Sequence, residues 1–409
     1  MRIRGLKLRP AFTSRGDPTV EAEVWVDGGY GRVASPVGAS AGIYEAVHLP
    51  KEGVEEAIRR VMASKDRVIG LDASDLKGLA LTLREIDGTP NFSKIGGASA
   101  FAITVASAEA EAKARGQPLY RLLLGDKEAR LPFPLGNVLG GGKHAGPGSP
   151  DIQEFLVAPI GAPNIFEAIK ANLLVHKKVR KLIERKDPSF SGGKGDEGAW
   201  APRMKDEEAF ETVTGAIEEA SEEAGFEIGF GIDMAASSLW KDGKYRYERK
   251  GITLSTEDQI SYVEELVDRY RPIYVEDPIQ EDDFEAFAEL TRDLRGKAVI
   301  VGDDLFVTNV KRLRKGIEIG AADGVILKVN QIGPLYEALE FAELAKSNRY
   351  RVITSHRSGD TWDPHLAHIA IGSGSWLIKT GVVGGERVAK LMELCRIWEA
   401  EPGLRLANA

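Results

Sequence analysis

The chain has 409 residues, of which 43% are hydrophobic and 28% are charged, and its formal net charge is -8 at pH 7. This length exceeds what one hydrophobic core usually supports, so we expect two domains in a folded globular protein. The composition excludes a disordered chain, and membrane insertion is excluded because no apolar run approaches the ~20 residues of a membrane helix.

The net charge and the cysteine content indicate which binding partners to expect, and the N-terminal residues indicate the cell compartment. The negative net charge argues against nucleic acid binding, and we interpret the basic cluster at 177–186 as the solvated face of a helix rather than a polyanion site. The single Cys395 excludes an internal disulfide and a cysteine-based metal site. Residues 1–10 lack the apolar stretch of a signal peptide, so we expect a cytoplasmic protein. Eight Asn and five Gln, against many Glu, Lys and Arg, indicate adaptation to heat.

Residues 1–126 are predicted to form a small α+β capping domain. Residues 19–26 alternate apolar and polar side chains as a strand does, and residues 54–62 and 98–115 have apolar residues at helical spacing. Strands followed by helices are typical of an α+β domain. A charged and then proline-punctuated segment at 126–134 indicates its boundary.

Residues 127–409 are predicted to form a β/α (TIM-like) barrel. Short apolar strands alternate there with amphipathic helices, which predicts parallel strands joined by helical crossovers. The strands predicted directly are 154–159, 227–234, 272–275, 298–302, 324–327, 351–355 and 376–378. An eighth strand near 133–138 would close the barrel, and the length of the segment suits that fold.

Polar residues recur at the carboxyl ends of the predicted barrel strands, about once per strand–helix unit. They are Asp233, Glu276, Asp303, Lys328, His356 and Lys379. Because the carboxyl ends of barrel strands meet at one mouth, where barrel active sites are built, we expect these side chains to converge. The alternative is that acids simply begin surface loops, but loop acids do not explain lysines in the same register.

Three carboxylates at one mouth need a cation or bound protons to balance their charge. Oxygen ligands without His or Cys favour magnesium over zinc. Near a divalent cation an ammonium loses its proton more readily, so one lysine can act as a base while the other anchors an anion. These groups suit abstraction of a proton next to a carboxylate, because positive charge stabilises the enolate formed. Asp304, directly after Asp303, is expected to point away from the site.

Motifs spread over most of the chain resemble those of the enolase family, in the family's order. They are Ser14-Arg15-Gly16-Asp17-Pro18-Thr19-Val20-Glu21, Gly38-Ala39-Ser40-Ala41-Gly42-Ile43-Tyr44-Glu45-Ala46, His144-Ala145-Gly146, Gln153-Glu154-Phe155, Gly195-Asp196-Glu197-Gly198, Asp233-Met234-Ala235-Ala236-Ser237, Glu276-Asp277-Pro278, Gly302-Asp303-Asp304-Leu305, Leu327-Lys328-Val329-Asn330-Gln331-Ile332-Gly333, Ser355-His356-Arg357-Ser358-Gly359 and Ile378-Lys379-Thr380-Gly381. Any one of these motifs is a weak signal, whereas the ordered set is specific.

The resemblance implies a fold, an activity and a cofactor. The fold would be an α+β N-terminal domain followed by a β/α barrel of the enolase type. The activity would be that of a hydro-lyase, the reversible dehydration of 2-phospho-D-glycerate, a phosphorylated hydroxy acid, to phosphoenolpyruvate in glycolysis and gluconeogenesis. Two Mg²⁺ ions would serve each site, the second arriving with the substrate. A homodimer or higher homo-oligomer and no membrane partner are also implied.

The resemblance also implies a role for each site residue. The implied metal ligands are Asp233, Glu276 and Asp303 for the first ion and Ser40 for the second. The implied catalytic residues are Lys328, Glu197, Glu154 and His356. The implied substrate-binding residues are His144, Gln153, Arg357, Ser358 and Lys379. Lys328 would remove the C2 proton and Glu197 would help the hydroxyl leave. Arg357 and Ser358 would clamp the phosphate, and Lys379 would pair with the carboxylate.

The chain departs from the family pattern in three places, one of which is the segment at 147–152, longer by one residue than usual. The first loop reads Val37-Gly38-Ala39-Ser40-Ala41 where Ser-Gly-Ala-Ser-Thr is usual, which removes two hydroxyls near the implied second metal. Gly384-Gly385 and Leu391-Met392 replace common residues near the implied subunit contact. Two other hypotheses stay open here. One is a related dehydratase or racemase acting on a sugar acid, and the other is a non-catalytic enolase-like protein.

Overall fold

The structure is a computed structural model that describes residues 1–39 and 42–408. Ser40, the implied ligand of a second metal ion, therefore lies outside the described residues. The described chain runs from a small strand-and-helix unit into a closed barrel. None of the helices in these two ranges combines the length and the apolar character that crossing a bilayer requires.

The N-terminal unit is a three-stranded antiparallel sheet followed by helices, as predicted. The strands are β1 (Ile3–Phe12), β2 (Pro18–Val26) and β3 (Gly29–Ala34), paired in that order. The helices are α1 (Val54–Ala63), α2 (Leu76–Asp87), α3 (Gly97–Ala114) and α4 (Leu119–Leu124). The helix α3 is buried along nearly its whole length because it lies across the sheet. It can approach closely because β3 carries Gly31, where a Cβ atom would stand 2.0 Å from the Ala106 carbonyl oxygen.

The rest of the described chain builds the barrel and its helices. Its strands are β4 (Arg130–Leu131), β5 (Phe133–Gly140), β6 (Glu154–Ala158), β7 (Gly229–Asp233), β8 (Trp240–Lys241), β9 (Lys244–Tyr247), β10 (Ile252–Leu254), β11 (Tyr274–Glu276), β12 (Val299–Gly302), β13 (Gly324–Leu327), β14 (Arg351–Ser355), β15 (Leu377–Lys379) and β16 (Arg405–Leu406). Its helices are α5 (Gly142–Ala145), α6 (Ile165–Lys186), α7 (Asp206–Ala224), α8 (Thr256–Tyr270), α9 (Phe284–Asp293), α10 (Val310–Ile319), α11 (Val329–Ile332), α12 (Leu335–Ser347), α13 (His365–Gly372) and α14 (Gly385–Ala400).

Eight strands of the described chain close the barrel in the order β5-β6-β7-β11-β12-β13-β14-β15, which confirms the predicted fold class. Seven predicted strands are present with ends shifted by at most a few residues, and the strand expected near 133–138 is β5. The domain boundary at residues 126 and 127 stays a prediction. The basic cluster at 177–186 lies at the end of α6, as expected for a helix face.

The prediction that all barrel strands are parallel is wrong for one strand. The strand β6 runs antiparallel to both of its neighbours, β5 and β7. No crossover helix separates β5 from β6, since the connection contains only the four-residue helix α5. Glu154 is the first residue of β6, and the reversed direction brings this first residue, instead of a last one, to the carboxyl mouth of the other strands.

The barrel interior is filled by apolar side chains below that mouth. They are Phe133, Leu135, Leu156, Ala158, Tyr274, Val301, Ile326, Ile353 and Leu377. Along each parallel strand side chains alternate between the interior and the surrounding helices, so the next inward position toward the mouth is polar. This register places Glu276 two residues beyond Tyr274 and Lys379 two residues beyond Leu377. The packed interior therefore supports a polar layer directly above it.

Candidate active site

The mouth of the barrel holds a cavity of about 260 Å³ that collects nearly all the predicted site residues. Those lining it are His144, Gln153, Glu154, Glu197, Asp233, Asp303, Lys328, His356, Arg357, Ser358 and Lys379. Glu276 lies just below, with no exposed surface. The residues therefore converge as the strand-end spacing predicted.

Lys379 lies among three carboxylates. Its Nζ atom is 2.6 Å from Glu154 Oε2, 3.1 Å from Asp233 Oδ2 and 2.8 Å from Glu276 Oε2. Burial acts to lower the pKa of Lys379, but the three carboxylates, Asp233 foremost, outweigh it and raise the pKa well above the usual lysine value. Lys379 is therefore a charged ammonium that neutralises part of the acidic cluster.

Lys328 forms the second cationic contact of the site. Its Nζ atom donates to Asp303 Oδ2, and Asp303 Oδ1 accepts from Gln331 Nε2 at 3.1 Å. Burial acts to lower the pKa of Lys328, but the Asp303 carboxylate raises it above its usual value. Lys328 and Asp303 thus form a buried ion pair at the cavity wall, beside the cluster around Lys379.

The three predicted metal ligands do not form one compact group among the described residues. Asp233 and Glu276 group with Glu154, their facing oxygens lying within 4.8 Å of one another. Asp303 groups in the same way with Asp277 and Asp304. The structure thus adds Glu154 to the predicted cluster and holds Asp303 to one side through its ion pair with Lys328.

Asp304 and Asp277 extend the acidic wall. Asp304 lines the cavity, so the prediction that it points away from the site is wrong. Burial, followed by the charge of Asp303, raises the pKa of Asp304 to about 7. Asp277 accepts hydrogen bonds from the backbone N–H groups of Asp303 and Asp304, both at 2.9 Å. Asp277 therefore shapes the turn that presents Asp303.

The acidic cluster fits a hard divalent cation. Its donors are carboxylate oxygens, the ligand type that magnesium prefers. Glu276 Oε1 is buried and has no hydrogen-bond partner in the described structure, so one donor remains to be satisfied. Burial and then the Asp233 charge raise the pKa of Glu276 well above its usual value. A cation would relieve this repulsion between like charges.

A second group of titratable side chains shares Glu154 with the acidic cluster. His144 Nδ1 lies 3.2 Å from Glu154 Oε1 and 4.0 Å from Glu197 Oε1. Burial, followed by the charge of Glu197, raises the pKa of Glu154 to about 7. Burial acts to lower the pKa of His144, but Glu197 and Glu154 outweigh it and raise it to about 9. At neutral pH this group therefore holds protons that it can deliver into the cavity.

His356 lies next to this group of titratable side chains. Its Nε2 atom is 3.3 Å from Glu197 Oε2, and its Nδ1 atom lies 2.8 Å from a guanidinium nitrogen of Arg387. Burial lowers the pKa of His356 to about 4, so the ring is neutral at pH 7. Its Nε2 atom and Glu197 Oε2 are both buried and have no hydrogen-bond partner in the described structure, so a neutral ring with a proton on Nε2 suits this contact.

Arg357 is held at the cavity edge from both the N-terminal unit and the barrel. Its Nη1 atom donates to Glu45 Oε2 at 3.0 Å and to Asn330 Oδ1 at 3.1 Å. The backbone of Gly38 passes so close that a Cβ atom there would stand 2.0 Å from Arg357 Nη2. Gly38 of the first loop therefore packs directly against the implied phosphate clamp.

Three residues organise the site although the sequence predicted no role for them. Glu45 binds Arg357, Asp277 binds the turn at Asp303, and Arg387 binds His356. Glu45 and Asp277 stand inside motifs that carry the family resemblance, so the motifs contained a signal for them. Arg387 lies on α14 outside every quoted motif, and only the three-dimensional contacts reveal it.

A small α+β unit on a barrel whose mouth carries clustered acids and two lysines is the architecture of a barrel enzyme with a candidate metal site. A family model described as "Enolase, N-terminal domain" matches residues 3–123, and one described as "Enolase, C-terminal TIM barrel domain" matches residues 128–403. The chain belongs to the enolase family.

Full-length relatives agree with this assignment. The chain is 49% identical over 400 residues to an enolase of Methanosphaera stadtmanae, covering 97% of each chain. It is 47% identical over 409 residues to an enolase of Methanothermobacter thermautotrophicus, covering 99% of this chain and 98% of the relative. It is 47% identical over 406 residues to an enolase of Pyrobaculum aerophilum, covering 97% and 96%. Relatives from thermophiles agree with the heat-adapted composition.

Proposed function

We propose that the protein catalyses the reversible dehydration of 2-phospho-D-glycerate to phosphoenolpyruvate. One observation carries the proposal: a single cavity is lined by both the Lys328–Asp303 ion pair and the Glu154–Glu197–His144 group, and Lys379 contacts Glu154. Proton abstraction and hydroxyl departure need a base and an acid at different faces of one substrate. The cavity offers both.

In this mechanism Lys328 in its neutral form takes the proton from C2 onto Nζ. The electron pair of the broken C–H bond moves into the substrate carboxylate as an enolate, next to the Lys379 ammonium. The pair then returns to form the C2–C3 double bond as the C3–O bond breaks. Burial acts to raise the pKa of Glu197, but His356 and His144 outweigh it and hold that pKa well below its usual value. Glu197 therefore passes on a proton drawn from His144 and Glu154, and the hydroxyl leaves as water. Arg357 and Ser358 hold the phosphate at the cavity edge.

Magnesium is the proposed cofactor, held first by Asp233, Glu276 and Asp303. Bound Mg²⁺ would supply the positive charge that stabilises the doubly charged enolate. Asp303, whose charge otherwise raises the Lys328 pKa, would then be shared with the metal. The second ion, arriving with the substrate on Ser40, stays a prediction.

We further propose a cytoplasmic homodimer or higher homo-oligomer. Four large apolar side chains are exposed on neighbouring segments: Phe12, Trp362, Val388 and Met392. Trp362 packs over the backbone of Gly385 at the start of α14, where a Cβ atom would stand 2.3 Å from its ring. Ser14, two residues beyond Phe12, donates its backbone N–H to the Asp360 carbonyl at 2.8 Å. Exposed apolar groups gathered in this way are typical of a protein interface.

The activity is tested by following phosphoenolpyruvate formation in the ultraviolet with 2-phosphoglycerate and Mg²⁺. Turnover should stop with EDTA and return with excess Mg²⁺, and Mg²⁺ should raise the unfolding temperature relative to EDTA. Turnover of an unphosphorylated sugar acid with none of 2-phosphoglycerate would favour the related dehydratase or racemase instead. No turnover of either compound, with substrate still bound, would favour the non-catalytic hypothesis.

The Lys328→Ala substitution tests the base. We expect kcat to fall about 100-fold or more, because a positioned base typically contributes 10²–10⁴-fold, while calorimetry still detects substrate binding. The matched control is Lys311→Ala, which removes an exposed lysine on α10 and should leave kcat unchanged. Wild-type turnover in the Lys328→Ala variant would rule out Lys328 as the base.

A further inference from the structure

Arg387 has no exposed surface, although arginine is rarely fully buried. Its guanidinium is surrounded by acceptors, which offset the cost of burying the charge. Nη1 lies 2.6 Å from the Arg357 carbonyl and 3.4 Å from Asp360 Oδ2, and Nη2 lies 2.7 Å from the Ser358 carbonyl. A buried cation held by so many contacts beside the cavity requires an explanation.

The contact with His356 has a chemical consequence. Arg387 Nη1 lies 2.8 Å from His356 Nδ1, and a guanidinium can only donate hydrogen bonds. His356 Nδ1 must therefore accept, so the single proton of the neutral ring resides on Nε2. His356 Nε2 lies 3.3 Å from Glu197 Oε2, and both atoms are buried without another hydrogen-bond partner in the described structure, so the implied acid is the acceptor within reach of that proton.

Arg387 also joins the two segments that meet at this contact. Its Nη2 atom donates to the carbonyl of Asp196, the residue before Glu197, at 3.1 Å. Its bonds to the carbonyls of Arg357 and Ser358 hold the segment directly after His356. One guanidinium thus fixes both the separation and the proton position of the Glu197–His356 pair.

We propose that Arg387 is a positioning residue that locks His356 in the Nε2–H tautomer and aligns it with Glu197. The inference rests on the proposed function for its effect on turnover, but the tautomer itself does not depend on the substrate. Without Arg387, the proton of His356 can move to Nδ1, and Glu197 loses its donor. The rate of hydroxyl departure then falls more than substrate binding does.

The kinetic test compares Arg387→Met and Arg387→Lys with a matched control. We expect kcat of Arg387→Met to fall at least about 10-fold, within the range of acid–base contributions, with a smaller rise in KM and partial recovery in Arg387→Lys. The control is Lys390→Met, which removes another buried cation of α14. Lys390 binds Asp360 and the Thr361 carbonyl, not His356. The kcat of Lys390→Met should therefore change less than about threefold even if the stability of this variant falls. Equal losses of kcat in both variants would overturn the proposal.

The tautomer is read directly by ¹⁵N–¹H correlation spectroscopy of wild-type protein with labelled histidine. The His356 signals are assigned by their loss in a His356→Asn variant. We expect a proton on Nε2 and none on Nδ1 in wild type, and in Arg387→Met, which lacks the donor to Nδ1, a shift of the proton toward Nδ1. A wild-type ring protonated on Nδ1, or on both nitrogens at pH 7, would overturn the proposal even if the variants do not fold. Failure of the proposed function would appear separately, as absent turnover in wild type.

Discussion

At the scale of single residues, Gly38 determines where a charged side chain can lie. A Cβ atom at this position would stand 2.0 Å from Arg357 Nη2, and Arg357 cannot swing aside freely because Glu45 and Asn330 bind it. Gly38→Ala should therefore displace Arg357 from the implied phosphate site. We expect kcat/KM for 2-phosphoglycerate to fall about 10- to 100-fold, mostly because KM rises. A loss of this size corresponds to the free energy of one charge-assisted hydrogen bond. Steady-state kinetics measures both constants.

Gly215→Ala is the matched control for this prediction. Gly215 lies within α7, and a Cβ atom there would meet nothing within 4 Å. Alanine in a helix interior is favoured over glycine by up to about 1 kcal/mol, so this variant should keep its kinetics and unfold at a slightly higher temperature. An unchanged KM in Gly38→Ala would mean that Arg357 does not contact the phosphate.

The strand-end residues of the site could be predicted from sequence, whereas their supporting residues could not. Asp233 and Lys379 follow apolar runs at a regular spacing, and the barrel geometry converts that spacing into proximity. Glu45 and Arg387 reach the site from a loop and a helix with no such periodicity. The separation of Asp303 from Asp233 and Glu276 also depends on a side-chain ion pair, which spacing alone does not encode.

At the scale of elements, the direction of β6 was the main feature that periodicity could not provide. Its sequence, Glu154–Ala158, is fully buried, as a parallel barrel strand would be, so burial is the same for both directions. The informative signal was the connection from Gly140 to Glu154. It holds only a four-residue helix, and a parallel crossover usually needs a full helix.

The same connection leads to a prediction about α7. Asp206, the first residue of this helix, accepts from the backbone N–H groups of Asp151 and Ile152 at 2.8 and 3.2 Å. Its Oδ2 atom is buried and has no hydrogen-bond partner among the described residues, and burial raises the Asp206 pKa from 3.8 to about 7. The folded state therefore binds this proton more tightly than the unfolded state, so stability falls as pH rises from about 4 to about 7.

Replacing Asp206 by Asn should remove this pH dependence. The Asn oxygen can keep both backbone contacts without a charge, so the unfolding temperature of Asp206→Asn should exceed that of wild type by an amount that grows between pH 4 and 7 and then stays constant. Circular dichroism melts at several pH values measure the difference. Asp187→Asn is the control of opposite sign, because hydrogen bonds from Ser189 lower the Asp187 pKa. A difference in unfolding temperature between Asp206→Asn and wild type that does not change with pH would contradict the prediction.

At the scale of the whole molecule, the exposed apolar side chains near the start of α14 predict self-association. Trp362 is 74% exposed and Phe12 is 72% exposed, values that are costly for large aromatic residues unless another surface covers them. The two residues lie on different structural units, Phe12 on β1 and Trp362 just before α13, so a partner covering both would bridge the small unit and the barrel.

Trp362→Glu should therefore convert the protein from an oligomer to a single chain. A buried, unpaired carboxylate at the centre of an interface costs several kcal/mol, enough to dissociate a complex of micromolar affinity. Light scattering coupled to size exclusion should give a mass of at least twice 44.4 kDa for wild type and 44.4 kDa for the variant. Leu81→Glu, at a residue 55% exposed on α2, is the matched control and should keep the wild-type mass. A wild-type mass of 44.4 kDa would refute the oligomer, and an unchanged mass in Trp362→Glu would place the interface on another surface.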